Sequence, residues 1–552
     1  MRRYVHRFVA AAAVAALLGV ALGAQQSAPG PVTAQEIAAG LPADGSRWIT
    51  FGGAYTNHRH SPLTQITPQN VNRLVPQWMF QTDTLGAFET TTLFRDNVLY
   101  VTGPQNLAWA IDARTGRQIW RYRRELPPQG TLTACCGLVN KGFGMLGDRL
   151  FMVTLDAHLL ALDTRTGAVV WDATMADYTQ GYASTIAPLV VKDKVIVGIA
   201  GGEYGIRGFI DAYDAQTGKR AWRFYTIPGP GEPGNNTWAA DSWRRGGAGV
   251  WVTGAHDPEL NLVYFGTGNP GPDYHSDSRK GDNLYSDSIV ALDADTGTLK
   301  WHYQFTPHDL HDWDSTHVPI LADLTIGGQP RKVVMMANRN GFFYTLDRTN
   351  GRLIVGKPYV QTTWAKEIGA DGRPVLLPGH VPDEKGSLTC PDITGGTNFW
   401  PTSYDPAQQL FFVNAREVCA VYYAWKPDYT PGDRFTGGAG QRAPGMPAVG
   451  ALRALDPATG DRKWEFNYIS PATAGLLSTA SGLIFSGDNE ANLLAIDSRG
   501  GKLLWRYQMG SKLHGTSPIT YMLDGRQHLL VPAGTTLTSW ALPDVARTPS
   551  TP

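Results

Sequence analysis

The residues of this chain best equipped for chemistry are oxygen donors set in polar, turn-rich segments. Glu203 stands in Gly201-Gly202-Glu203-Tyr204-Gly205, where the glycines let backbone approach a ligand closely. Asn269 stands in Gly266-Thr267-Gly268-Asn269-Pro270-Gly271-Pro272, a rigid polar loop after the apolar Leu262-Val263-Tyr264-Phe265. Asp312 and Asp314 close the stretch Thr306-Pro307-His308-Asp309-Leu310-His311-Asp312-Trp313-Asp314, and Asn338-Arg339-Asn340-Gly341 adds a guanidinium. Residues two apart point the same way in an extended segment, so Asp312 and Asp314 are expected to share a face. Carboxylate and amide oxygens together suit a hard cation such as calcium. Each of these residues alone reads more readily as a solvated or capping turn residue, so the metal reading rests on the constellation.

The four cysteines, Cys135, Cys136, Cys390 and Cys419, allow three pairings. Joining the adjacent Cys135 and Cys136 strains the peptide between them. Crossed pairing with Cys390 and Cys419 is the alternative, and spacing does not choose. No Cys-x-x-Cys-His motif for a covalent c-type haem occurs in the sequence.

The elements that must position these residues are written as a repeat. The string Ala-x-Asp-x-x-Thr-Gly-x-x-x-Trp recurs as AIDARTGRQIW at 110–120, ALDTRTGAVVW at 161–171, AYDAQTGKRAW at 212–222, ALDADTGTLKW at 291–301, ALDPATGDRKW at 454–464 and AIDSRGGKLLW at 495–505. Decayed copies are TLDRTNGRLIV at 345–355 and SYDPAQQLFFV at 403–413, and Asp257-Pro258 marks a further half-turn in the long gap after 222. A period of about 40–60 residues with turn chemistry at its centre predicts propeller blades. Each copy reads strand, turn, strand: Asp and Thr bond the turn, Gly supplies positive φ, and Trp fills the wedge between neighbouring blades. The expected fold is all-β, an eight-bladed β-propeller with tryptophan docking over 25–545. Gln77-Trp78-Met79-Phe80 and Thr538-Ser539-Trp540 are the expected partners that close the ring.

Composition agrees. A chain of 552 residues exceeds the roughly 250–300 at which single cores stop growing. Its 62 Gly, 37 Pro, 17 Trp and 22 Tyr suit many short strands rather than several compact cores. Lys+Arg 48 balances Asp+Glu 48, which removes the electrostatic footprint of a nucleic-acid binder. Arg2, Arg3 and Arg7 precede an apolar run over 8–22 and small residues Gly23 and Ala24, so 1–24 reads as a signal peptide and the destination as the periplasm. The run is too short to span a bilayer comfortably, so the protein is not expected to be integral to the membrane. Residues 546–552 are expected to be a disordered tail.

With these stretches assembled, the chain resembles the quinoprotein alcohol dehydrogenases, eight-bladed propellers that bind pyrroloquinoline quinone (PQQ). The resemblance runs from Trp48-Ile49-Thr50-Phe51-Gly52-Gly53 through the Trp motifs to Ser470-Pro471-Ala472-Thr473-Ala474-Gly475. Its most specific parts are Cys135-Cys136, Gly268-Asn269-Pro270, Gly281-Asp282-Asn283-Leu284-Tyr285 and Thr306-Pro307-His308-Asp309. It implies a vicinal disulfide Cys135–Cys136 over one face of the quinone, Trp251 stacked on the other, and a second disulfide Cys390–Cys419. It places Glu89, Lys141, Thr185, Gly201, Gly202, Arg339 and Asn398 at the cofactor. Glu203, Asn269 and Asp312 match the metal positions. Asp312 matches the catalytic base, taking the alcohol's proton while hydride passes to the quinone, with the cation as Lewis acid and Arg339 stabilising charge on the quinone oxygens. Asp314 matches the extra acid of lanthanide-dependent members, so a lanthanide ion is expected at the metal site, with calcium the alternative. The implied partners are an alcohol substrate and a separate cytochrome c, and a homodimer is admitted.

The chain also departs from the family. Lys141 replaces a common Arg and loses its bidentate fork. Asp273 stands where a Trp usually caps the substrate pocket, and Thr473 replaces an aromatic neighbour of the quinone. A wider or more polar pocket follows, with methanol not the preferred substrate. A PQQ-dependent polyol, sugar or bulky secondary-alcohol dehydrogenase is the second reading. The third is a non-enzymatic propeller scaffold, which has no need of these acids or of adjacent cysteines.

Overall fold

The computed structural model describes residues 30–128 and 131–543. The expected leader (1–24) and tail (546–552) lie outside the described residues. Within them the chain is all-β: 39 strands, one short α-helix Ala34–Ala39 and five 3₁₀ turns. No described helix is long and apolar enough to cross a membrane.

The recurring motif builds the same turn each time. In the first copy the strand Leu107–Asp112 runs through a bulge between Ala110 and Ile111 into a turn held by Asp112, whose Oδ1 accepts from the Arg114 and Thr115 amides at 2.9 Å each. Asp163, Asp214 and Asp293 repeat this bonding with the residues two and three ahead, Thr included. The return strand carries the Trp, as Trp120 in Gln118–Arg123.

That Trp lies against the turn of the next motif. A Cβ built on Gly116, Gly167, Gly218, Gly297, Gly351 or Gly501 would come within 2.5 to 2.8 Å of the ring of Trp78, Trp120, Trp171, Trp222, Trp301 or Trp464 respectively. Each of these glycines has positive φ. Any side chain there would be strained and would also displace the indole. The ring nitrogens donate to turn carbonyls of the next motif, Trp120 Nε1 to Thr164 at 2.9 Å and Trp222 Nε1 to Ala294 at 3.2 Å. Where the fifth copy has decayed, Val355 and Lys357 stand in for the indole against Gly460.

Eight sheets of four or five strands result among the described residues. The sequence reading treats the copies at Asp405 and Asp456 as separate units; the structure places them in one sheet, Ser403–Asp405, Leu410–Glu417, Val449–Leu455 and Arg462–Asn467. Asp405 marks the turn after its buried inner strand and Asp456 the turn before its exposed outer strand. The Asp257 half-turn likewise belongs to the sheet of Asp293. The remaining sheet joins the two ends of the chain: Val75–Gln81 pairs antiparallel with Thr536–Ala541, Trp78 opposite Ser539, as the sequence leads one to expect.

Two smaller sheets stand outside this scheme: Ala365–Ile368 pairs with Pro374–Leu376, and Ser387–Thr389, Ala420–Ala424 and Gly438–Arg442 form a three-stranded sheet whose segments are joined by the disulfide Cys390–Cys419. Arg434, Thr436, Gly438, Ala439 and Gly440 line the cleft described next.

Docking of the indoles predicts a graded cost. Trp222→Phe, losing the Nε1–H bond, is expected to destabilise by about 1 kcal/mol, and Trp222→Ala by about 3–5 kcal/mol. Thermal melts check this; equal melting temperatures for wild type and Trp222→Ala would contradict it.

Candidate active site

A cleft of about 450 Å³ opens at one end of the sheets, and every site residue expected from the sequence lines it: Glu89, Cys135, Cys136, Lys141, Thr185, Gly201, Gly202, Glu203, Trp251, Asn269, Asp312, Asp314, Arg339 and Asn398. They come from segments spread over some three hundred residues, brought together because each lies in a loop that leaves the same edge of its sheet. Cys135 and Cys136 are joined to each other, not crossed with the distant pair.

Local backbone explains several placements. Gly201 has φ +117, and a Cβ there would run into the Gly181 carbonyl, so only glycine can turn the chain to present Glu203 from the short 3₁₀ turn Gly202–Tyr204. Asp312 and Asp314 do share a face, but not through an extended segment. Asp312 has φ +60, a left-handed conformation uncommon for a residue with a side chain. Arg339 fixes that turn by donating from Nη1 to the Asp312 carbonyl at 2.7 Å.

Arg339 is the hub of the acidic side of the cleft. Its guanidinium lies 3.1 Å from Asp314 Oδ2 and 3.7 Å from Asp312 Oδ1, and its Nη2 donates to Asn398 Oδ1 at 3.2 Å. The Asn269 amide N–H donates to Asp314 Oδ1 at 2.9 Å. Glu203, Asp312 and Asp314 are joined by Asp273, whose two carboxyl oxygens are buried and have no hydrogen-bond partner. Burial pushes all four carboxyls up, and they push one another: Glu203 is raised by Asp314, Asp273 by Glu203, and Asp312 well above the usual range by Asp273, against the pull of Arg339. Among the described residues, Arg339 is the single cation ion-paired with any of the four.

The other side of the cleft is cationic and aromatic. Lys141 is buried, donates to Thr185 Oγ1 at 3.1 Å and sits 5.0 Å from the Trp251 ring centre and 4.9 Å from that of Phe399. Burial lowers its amine and lifts Glu89 to about 7. His514 bridges Glu89, at 3.4 Å, and the Thr473 hydroxyl, at 2.9 Å. Arg434 reaches within 4.0 Å of Cys135 Sγ at the mouth.

These residues fit the groups the resemblance implies. A pocket with an excess of buried carboxyl oxygens, two of them orphaned, suits a cation. A cleft walled in part by a sulfur ring and an indole, with Lys141 and Arg339 beside them, suits a flat anionic quinone. Sequence reasoning missed Phe399, Trp400, Arg434 and His514 as lining residues. None sits in a motif. Phe399 carries the aromatic edge that Thr473 lacks, lying 5.5 Å from Trp251 in a T-shaped pair. The common signal was their place in stretches between repeat copies, 359–402, 418–448 and 509–516.

Comparison with known proteins bears on this site. A family model described as glucose/ethanol/alcohol dehydrogenase, beta-propeller domain, matches residues 48–363, and one described as outer membrane protein assembly factor BamB matches 448–541. The chain is 41% identical over 509 residues to the quinohemoprotein alcohol dehydrogenase ADH IIB of Pseudomonas putida, covering 89% of this chain and 74% of that relative. It is 37% identical over 520 residues to the quinoprotein alcohol dehydrogenase PedH of Pseudomonas putida, covering 89% and 87%. A solved structure titled as a europium-containing methanol dehydrogenase superposes with a TM-score of 0.85 at 33% identity, covering 91% of this chain and 99% of the other.

Glu89 gives a pH signature free of any bound group. In the folded chain it stays neutral up to about pH 7, whereas unfolded it ionises above its ordinary 4.5. Its stabilising contribution is therefore present below pH 4.5 and lost as pH rises to 7, a change of about 3 kcal/mol. Relative to wild type, metal-free Glu89→Gln is expected to gain stability over that window and level off above it. Urea unfolding at pH 5 and pH 8 measures this; a difference between the two proteins that does not move with pH would contradict it.

Proposed function

The chain belongs to the PQQ-dependent alcohol dehydrogenase family, oxidoreductases acting on CH–OH groups, and on that premise we propose that it is a periplasmic enzyme oxidising an alcohol other than methanol, with a lanthanide ion in its cation pocket. The observation that carries the reading is the cluster of buried, mutually repelling carboxyls around Arg339, in a cleft that also holds the joined cysteines and Trp251. We take the ring to be an eight-bladed propeller closed by tryptophan docking, on the eight sheets and the repeated indole–glycine contacts.

When bound, the quinone supplies the two-electron acceptor for the carbinol hydrogen, and the cation supplies Lewis acidity. Glu203, Asn269, Asp312 and Asp314 would hold the cation. Cys135, Cys136 and Trp251 would sandwich the quinone, and Glu89, Lys141, Thr185, Gly201, Gly202 and Asn398 would hold its edges. Asp312 takes the proton from the substrate hydroxyl. Burial alone would leave it protonated; Arg339 opposes that, and a cation among the carboxyls opposes it further. Arg339 keeps its Nε, buried and unpartnered, as a donor for negative charge on the quinone oxygens. Arg434 and Thr436, from the segment before Gly438–Arg442, line the cleft as well. Asp273 makes the pocket more polar than an indole in the same place would, which favours alcohols larger or more polar than methanol. The electrons would pass to a separate cytochrome c, as the resemblance to the family implies. The apolar run at 8–22 behind Arg2, Arg3 and Arg7 supports export to the periplasm. Calcium as the metal is the alternative.

Reconstitution with PQQ and either lanthanum or calcium, followed by dye-linked assays over an alcohol panel, tests this. Lanthanum is expected to activate, with a longer or polyhydric alcohol ahead of methanol. Activity with calcium alone would contradict the role of Asp314, and methanol as the best substrate would contradict the pocket. Asp312→Asn should lower kcat by at least about 100-fold with its fold intact.

A further inference from the structure

Asp273 is given no part in holding the cation by the reading above. It is 1% exposed and lines the cleft, and both of its oxygens are buried without a hydrogen-bond partner. Its loop is fixed from behind. The buried Arg279 donates to the carbonyls of Pro272 at 2.9 Å, Asp273 at 3.1 Å and Asp309 at 2.6 Å, and to Asn283 Oδ1 at 2.9 Å. That guanidinium is thus taken up by carbonyl and amide oxygens and forms no ion pair with the Asp273 carboxylate. Burial, Glu203 and Asp314 push the Asp273 carboxyl up, the Asn269 side chain and the charge of Arg279 behind the loop pull it down without an ion pair, and Asp273 in turn acts on Asp312. A carboxyl held rigidly, out of water and among like charges, is costly unless something outside the chain balances it.

We propose that Asp273 is a fourth carboxylate of the cation pocket and fits that pocket to a trivalent ion. The inference rests on the cation reading above. With Glu203, Asp312 and Asp314 it makes four carboxylates, and Arg339 is the one guanidinium ion-paired among them. Even with Arg339 paired and Arg279 acting on Asp273 from behind, the carboxylates outnumber the cations, and a trivalent ion offsets more of that excess than a divalent one. In a site shielded from water, one unbalanced charge separates the two ions strongly.

The test is Tb³⁺ and Ca²⁺ titration of the full chain and of Asp273→Asn, by calorimetry and by Tb³⁺ luminescence lifetimes in H₂O and D₂O, with melting temperatures recorded with and without metal. Asp273→Asn is expected to weaken Tb³⁺ binding by about tenfold or more and Ca²⁺ binding by less. It is also expected to add water to the bound Tb³⁺ and, in the metal-free protein, to melt no lower than wild type, since an unbalanced buried charge has gone. Equal Tb³⁺ affinity and hydration in the two proteins would overturn this inference while leaving the cation reading in place. Failure of wild type to bind Tb³⁺ would overturn the cation reading and this inference with it. A variant that melts lower without metal, or does not fold, would give Asp273 a structural role and overturn the inference.

Discussion

Carboxyl groups gathered out of water repel one another, and the arrangement of this chain is best understood as what it takes to keep four of them together. Glu203, Asp273 and the pair Asp312 and Asp314 arrive on three separate loops, and one guanidinium, that of Arg339, is paired with them. Left to relax, loops carrying such charges would swing them apart. They do not, because the loops are anchored in sheets locked to their neighbours by an indole seated on a glycine turn, contact after contact around the molecule. Rigidity of the repeat and electrostatic tension of the site are thus two aspects of one design.

The same tension organises the chemistry. A cleft rich in negative charge suits a cation, and on the proposed reading a cation there would make an ionised Asp312 available as a base in surroundings where burial pushes its carboxyl up. The left-handed backbone at Asp312, pinned by Arg339, sets that carboxyl beside Asp314. On the far wall the charges reverse: Lys141 lies buried between Trp251 and Phe399, and Glu89 beside His514 is lifted toward neutrality. A flat anionic cofactor bridging the two walls would relieve both.

The architecture was legible because it is periodic. The Asp, Thr, Gly and Trp of each copy do the same local work, so repetition reports the turn and the indole contact together. It failed where a copy had decayed: Asp405 reads as a unit of its own, although it marks only the inner turn of the Asp456 sheet. The site was legible through Glu203 among its glycines, Asn269 in its loop, and Asp312 and Asp314 in one stretch. Asp273 stood out in sequence only as an odd residue after Gly271-Pro272; that it is buried and orphaned depends on Arg279 holding its loop from behind, which no local pattern reports. Phe399, Arg434 and His514 enter the cleft from insertions with no periodicity at all. Their roles come from packing over long sequence separations.

The central claim is that these carboxyls enclose a cation. Anomalous diffraction from crystals of the full chain grown with a lanthanide addresses it most directly. The account predicts one strong peak lying at coordination distance from Glu203, Asn269, Asp312 and Asp314 together. A structure in which the lanthanide lies elsewhere while these side chains remain unliganded would contradict it.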